Sequence, residues 1–223
     1  MQYDWNFGRL LPYVHAFAVG TITTIGLTAV IIIVGSVMGI ALGLILATRT
    51  GRLILYPIVD LLRALPPLVL LLFMYYTLSE DVIGFAVSAF WVAAIAMSLN
   101  LAAFVGDLVR AAIDNVPRAA TDAGYAIGMT RRQLTRHVVL PHVVREVIPG
   151  LTVLYIGMLK MSTLASVINV TEVVYTAQTV ISEVTRSLEV WTVVGAIFVV
   201  LVVPATYAAR RIERWVGRGP AAQ

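Results

Sequence analysis

The chain has 223 residues, of which 60% are hydrophobic and only 13% charged, with a formal net charge of +4 and no cysteine. Soluble domains carry about 25% charged residues, so this composition speaks against an ordinary soluble enzyme. The lack of cysteine excludes disulfides and thiolate metal sites.

The opening stretch MQYDWNFGRLLPY has no basic segment of the kind that starts a secretory signal. The apolar run after it is also far longer than a signal core of about 7–15 residues. Tyr3, Trp5, Phe7 and Tyr13 suit a membrane interface instead. Four stretches are free of Asp, Glu, Lys and Arg: Leu10 to Thr48, Ala64 to Ser79, Val82 to Gly106 and Val190 to Ala209. A fifth, about Val143 to Val170, is interrupted only by Arg145, Glu146 and Lys160. Crossing a hydrocarbon layer of about 30 Å takes roughly 20 apolar residues in a helix. The expectation is an all-α membrane protein, one domain over 1–223, with five transmembrane helices near 16–47, 57–79, 86–109, 143–170 and 190–210. A buried soluble bundle would need polar helix faces that these segments lack.

Basic residues set the orientation, because short cytoplasmic loops retain Arg and Lys. Arg49 and Arg52 lie in the first connection, and Arg110, Arg118, Arg131, Arg132, Arg136 and Arg145 in or at the edges of the third. Arg210, Arg211, Arg214 and Arg218 lie in the C-terminal tail, whereas the opposite side has only Arg9 and Arg186. The N-terminus is therefore expected outside and the C-terminus in the cytoplasm. The net positive charge reflects this asymmetry and needs no nucleic-acid partner.

The third connection, 117–141, has a local grammar of its own. Pro117 opens a helical run, RAATDAGYAI, with Asp122 in its early turns, where the helix dipole favours an acid. Gly128 stands where a helix ends in a left-handed residue. Thr130 and Gln133 form a capping box that starts a second helix, RRQLTRHVVL, and Pro141 marks the turn into the fourth span. A DNA-reading helix-turn-helix shares this outline, but the loop leaves little room for a supporting helix or a reach to a duplex. A merely solvated loop would not require a glycine stop followed by a capping box.

The spacing Asp122-Ala123-Gly124, three residues, Gly128, nine residues, Val138, one residue, Leu140-Pro141 resembles the EAA loop of ABC importer permeases. That pattern reads Glu-Ala-Ala, three residues, Gly, nine residues, Ile, one residue, Leu-Pro. LRALPPLVLLLFMYY (62–76) is similar to the FRGTPLLVQLFLLYF of polar amino-acid permeases. Likewise SLNLAAFVGDLVRAAIDNVP (98–117) resembles SLNSAAYLAEIFRGAILSVP, and LKMSTLASVINVTEV (159–173) resembles LKDTSLASVIGVTEL. Two departures stand out: Met161 follows Lys160 where the family has an acid, and Ala64-Leu65-Pro66 replaces Gly-Thr-Pro.

The resemblance implies a type I ABC importer permease in a bacterial inner membrane, dimeric with itself or with a paralogous permease. Two cytoplasmic ATPase subunits would sit below it and an extracytoplasmic solute-binding protein above. The loop would couple to the ATPase through Asp122, Ala123, Gly124, Gly128, Met129, Arg131, Arg132, Arg136, Leu140 and Pro141. Polar amino acids lead as solutes, with ectoine-type compatible solutes or opines as alternatives, given the two departures.

The chain has no phosphate-binding loop, which requires G-x-x-x-x-G-K-[ST]. Its only lysine, Lys160, lacks that context. It is accordingly expected not to be an enzyme and to hold no cofactor, ATP and Mg belonging to the partner ATPase. His15, His137 and His142 are expected at interfaces rather than on a metal. Ionisable groups inside spans face a bundle interior or a water-filled cavity, so Lys160, Ser162, Thr163 and Asn100 are assigned to the translocation pathway, with Lys160 facing a carboxylate. Pairing of Lys160 with an acid of another helix is the structural alternative. Arg63 is counted with the pathway as well; for it, Asp60 and Asp107 near the helix ends, a structural ion pair is the alternative. An ion-driven secondary transporter would show inverted repeats, and no segment recurs.

Overall fold

The computed structural model describes residues 3–217, in which every regular element is helical. Arg218 of the basic tail lies outside the described residues. A 3-10 turn over Phe7–Tyr13 leads into α1 (Val14–Leu46). The 33 residues of α1 span about 50 Å at about 1.5 Å per residue, more than the hydrocarbon thickness.

The chain then turns tightly into α2 (Arg49–Ala64), where the Thr48 hydroxyl caps the helix by accepting the Gly51 amide. The expected second span, 57–79, does not form as one rod. α2 stops at Ala64, α3 (Pro67–Thr77) begins afresh, and the two are bent by 106°. Leu65 and Pro66, each followed by a proline, are extended, with ψ of 131° and 133°. Pro66 and Pro67 also withdraw the two amides that would have continued the helix.

A single turn, α4 (Glu80–Ile83), ends on Gly84 at φ +78°. It precedes α5 (Ala89–Asp114), the third span, which runs past the expected end at 109. α5 is the central helix, with Ala93, Ala96, Leu101, Ala103 and Val105 fully buried. Its main neighbour is α1. Along their seam Gly35, Gly39 and Gly43 meet Leu101, Val105 and Val109, and a Cβ at these glycines would lie 2.9, 2.5 and 2.6 Å from those side chains. Both series step by one helical turn and rise together, so the two helices run parallel. Between helices in lipid, close van der Waals contact replaces a hydrophobic drive, and small residues permit it.

Next come α6 (Arg118–Ala126) and α7 (Arg131–Leu134). Through one π turn, Thr135–Val139, α7 continues into α8 (Leu140–Met161) and a closing 3-10 segment, Ser162–Ile168. Arg131–Ile168 is thus a single helical rod of 38 residues. The fourth span, expected over 143–170, starts earlier, and Pro141 marks no turn. Instead the Leu140 amide reaches five residues back to the Thr135 carbonyl. The widened turn takes up the missing N–H and the ring of Pro141 without breaking the rod.

Asn169 at φ +63° ends this rod. Glu172 then caps α9 (Val173–Val184), a helix in the stretch between the expected fourth and fifth spans. The Glu172 carboxylate is fully buried and accepts the Tyr175 amide at 2.8 Å and the Thr24 hydroxyl of α1 at 3.3 Å. Gly20 gives α9 its close seat, since a Cβ there would be 2.6 Å from Thr176 Oγ1. The last element, α10 (Ser187–Gly217), exceeds the expected 190–210 at both ends. Its buried Glu189 gathers in the N-terminal segment by accepting the Tyr3 hydroxyl and the Asn6 amide.

Among the described residues four helices are long and apolar enough to cross a membrane: Phe7–Leu46, Ala89–Asp114, Arg131–Ile168 and Ser187–Val216. Five crossings result if α2 and α3 form one broken span. Ile22, Ile33, Val37, Val153 and Val200 remain exposed on the outer faces, a surface suited to lipid or a neighbouring subunit.

Gly39→Leu is expected to destabilise the fold by about 1–3 kcal/mol through overpacking of the α1–α5 seam. Gly26→Ala, where an added Cβ meets nothing within 4 Å, is expected to be neutral or slightly stabilising. Thermal unfolding of the two variants in detergent checks the contrast.

Candidate coupling surface and translocation pathway

The segment between α5 and α8 is a small knob built from two opposed caps. At the end of α6 the Gly128 amide bonds the Tyr125 carbonyl at 2.9 Å and the Met129 amide bonds the Gly124 carbonyl at 3.0 Å. This is a Schellman pair, which needs its glycine in the left-handed region. Gly128 is there, at φ +82°. Two residues on, the Thr130 side chain accepts the Gln133 amide and the Gln133 side chain accepts the Thr130 amide, completing the expected capping box. Gly124 fixes how closely the two pieces pack, because a Cβ there would lie 2.5 Å from the buried Leu134. Asp122 differs from expectation. The first turn of α6 contains no acid, and Asp122 sits beyond it, exposed with Ala123, where the dipole argument has little force.

The surface that results is basic and apolar together. Arg131, Arg132 and Arg136 are exposed and line one shallow depression with Thr135 and Leu140. Tyr125 and Ile127 stand exposed beside it, Met129 is half-buried, and Pro141 lies at the start of α8.

A ladder of charges holds the base of the knob. Arg52 of α2 pairs with Asp114 at 2.7 Å, and Arg110 pairs with both Asp114 and Asp107 at 2.8 Å. Asp107 also pairs with Arg63 at 2.8 Å, and Arg63 approaches Asp60 at 3.7 Å. Two rings cover the ladder, Tyr56 under Arg110 and Phe104 under Arg63. The sequence reading found Asp60, Arg63 and Asp107 but not Arg52, Arg110 and Asp114. The spacing of Asp107, Arg110 and Asp114 by three and four residues on one helix is the signal that would have found the rest. On the other side Asn115 donates to Glu146, whose carboxylate also lies 3.2 Å from His142, which joins α5 to α8.

The five residues assigned to the pathway do not converge. Lys160 is exposed and lines a groove with Thr163, Val174, Val194 and Phe198. No ion pair among the described residues includes it. Ser162 is buried, donating to the Leu159 carbonyl, and the Thr163 hydroxyl donates to the Lys160 carbonyl. Asn100 is fully buried, and its Nδ2 donates to the Leu62 carbonyl at 3.3 Å. Arg63 belongs to the charge ladder.

Comparison with other proteins finds relatives over nearly the whole chain. The family of binding-protein-dependent transport system inner membrane components matches residues 31–218. The glutamine transport system permease protein GlnP of Escherichia coli is 26% identical over 224 residues, covering 96% of this chain and 98% of that protein. The arginine transport system permease protein ArtQ of Bacillus subtilis is 28% identical, covering 94% and 96%. A solved chain described as an amino acid ABC transporter with histidines superposes with a TM-score of 0.87 and 27% identity, over 95% of this chain and 99% of that one. The chain belongs to this family of inner membrane components. It is the permease subunit of an ABC importer, a component that is not itself an enzyme. The ion-driven alternative is not favoured.

Asp107 holds two arginines and Asp60 only the edge of one, so their removal should differ. Asp107→Asn is expected to destabilise by about 1–3 kcal/mol by leaving Arg63 and Arg110 short of a partner. Asp60→Asn, at an exposed site 3.7 Å from Arg63, is expected to cost under about 0.5 kcal/mol. Paired unfolding curves in detergent decide between them.

Proposed function

We propose that this permease imports polar amino acids or closely related compounds, received from an extracytoplasmic binding protein and driven by a cytoplasmic ATPase dimer that holds ATP and Mg. The N-terminus lies outside and the C-terminus inside. The parallel run of α1 and α5 supports this, since it brings Arg49 and Arg52 to the same end as Arg110, beside the knob with Arg131, Arg132 and Arg136. Five helices enclose little space, so a second permease, identical or paralogous, completes the pathway.

The observation that carries the reading is the rod Arg131–Ile168. It begins with the basic surface of the knob and carries Lys160 at the end of α8 and Ser162 and Thr163 at the start of its closing 3-10 segment. The knob docks on the ATPase through Arg131, Arg132 and Arg136 around the apolar contacts of Tyr125, Ile127 and Leu140. A helix packed along its length moves as a body, so displacement at the ATPase reaches the pathway directly. There Lys160, in no ion pair among the described residues, meets the carboxylate of the solute in the groove it shares with Thr163.

Two experiments follow. Gly128→Val forces a β-branched residue into the left-handed region and is expected to abolish most binding-protein-dependent uptake while ATP hydrolysis persists; Gly128→Asn, which tolerates that conformation, is expected to keep most of it. Equal uptake by both variants in reconstituted vesicles would contradict the coupling role. Lys160→Met is expected to lower uptake of a carboxylate solute by raising KM, and an unchanged KM would remove Lys160 from the pathway.

A further inference from the structure

We propose that Asn100 is the positioning residue of a hinge between α2 and α3, its side-chain amide standing in for the backbone amide that Pro66 lacks. In an uninterrupted helix the Leu62 carbonyl would accept from the residue four places on. That residue is Pro66, which has no N–H. Asn100, fully buried in α5, supplies the bond instead, Nδ2 donating to the Leu62 carbonyl at 3.3 Å. Chemistry fixes the orientation of the amide, because a carbonyl only accepts. Asn100 Oδ1 is buried without a partner, so the side chain's hydrogen bonding serves Leu62 alone. In lipid an unserved carbonyl is costly, so the bend and Asn100 sustain each other.

The position of this bond gives it a mechanical meaning. Asn100, Phe104 and Asp107 lie at successive turns of α5, and all three engage the end of α2: Asn100 at the Leu62 carbonyl, Phe104 under the Arg63 guanidinium, Asp107 in its ion pair. Up to the break, then, α2 is fixed to α5, the helix that leads into α6 and the knob. Beyond the break α3 packs on α5 and on the Ser162–Ile168 segment that follows Lys160. The break is the joint between a segment pinned to α5 at Asn100, Phe104 and Asp107 and a segment that packs on both α5 and the Ser162–Ile168 turn. Asn100 holds the angle of that joint and makes no contact with solute. The transmission role rests on the transport reading above; the pin itself does not.

The chain contains no cysteine, so Leu53→Cys on α2 and Tyr76→Cys on α3, both exposed, can carry spin labels in the complex with its ATPase in nanodiscs. A narrow label-to-label distance distribution is expected with Asn100 intact and a broadened one with Asn100→Leu. Adding Pro66→Ala, which restores an amide for Leu62, is expected to narrow it again. Solute import is expected to fall roughly three- to tenfold in Asn100→Leu, the scale of one hydrogen bond between helices in a membrane, with KM unchanged. Asn100→Ala, smaller and without any side-chain donor, replaces Asn100→Leu if that variant does not fold. The proposal is overturned by an unchanged distribution, by broadening that Pro66→Ala does not reverse, or by a raised KM at constant maximal rate. If the complex with Asn100 intact imports no amino acid, the transport reading fails, and the distances still decide the pin.

Discussion

Everything in this fold is placed relative to the seam where Gly35, Gly39 and Gly43 let α1 lie against Leu101, Val105 and Val109 of α5. Three missing side chains at one-turn spacing bring two long helices into parallel contact where lipid offers no hydrophobic reason for them to associate. The seam makes α5 central. It puts the start of α2 beside the end of α5, which is why Arg52 can reach Asp114 and the charge ladder can close. It also presents the other end of α1, with Gly20 and Thr24, as the seat for α9. Bulk on the glycine face of α1 would move the ladder, the knob and α9 together.

Two different physical means hold the parts that work. At the knob the means are local: opposed caps, a glycine at φ +82° and one close contact between Gly124 and Leu134. At the break between α2 and α3 they are long-range, with Asn100 and Asp107 of α5 serving groups that the two prolines and the helix end leave open. The π turn before Pro141 belongs to the same logic. A kink there would separate knob from span, whereas a widened turn absorbs the proline and keeps the rod whole.

The same division explains what was legible in the sequence. Charge-free runs give the spans, because solvation by hydrocarbon is read residue by residue. The stop at Gly128 and the Thr130–Gln133 box were legible because each is decided within a few residues. Pro66 and Pro67 are visible in the sequence, but the 106° bend depends on what α5 offers from the third span. Glycines at 35, 39 and 43 are visible in the sequence, yet nothing local says which helix they face. Asn100 looked like a pathway residue because it is polar and mid-span; its true neighbour is a carbonyl orphaned in another helix. α9 was missed although its cap is local, the Glu172 carboxylate accepting the Tyr175 amide, because its seat is the far end of α1 at Gly20 and Thr24.

The central claim is that the knob and the Lys160 turn belong to one rigid helix. The most direct test places labels at Thr135→Cys and Val153→Cys on the otherwise cysteine-free chain. These positions are about 27 Å apart at about 1.5 Å per residue, within reach of a spin-spin distance measurement in the reconstituted complex. The account predicts a narrow distribution that stays the same with and without ATP while the solute is imported. A distance that shifts or broadens on ATP binding would mean that the π turn flexes, and transmission through the rod would be contradicted.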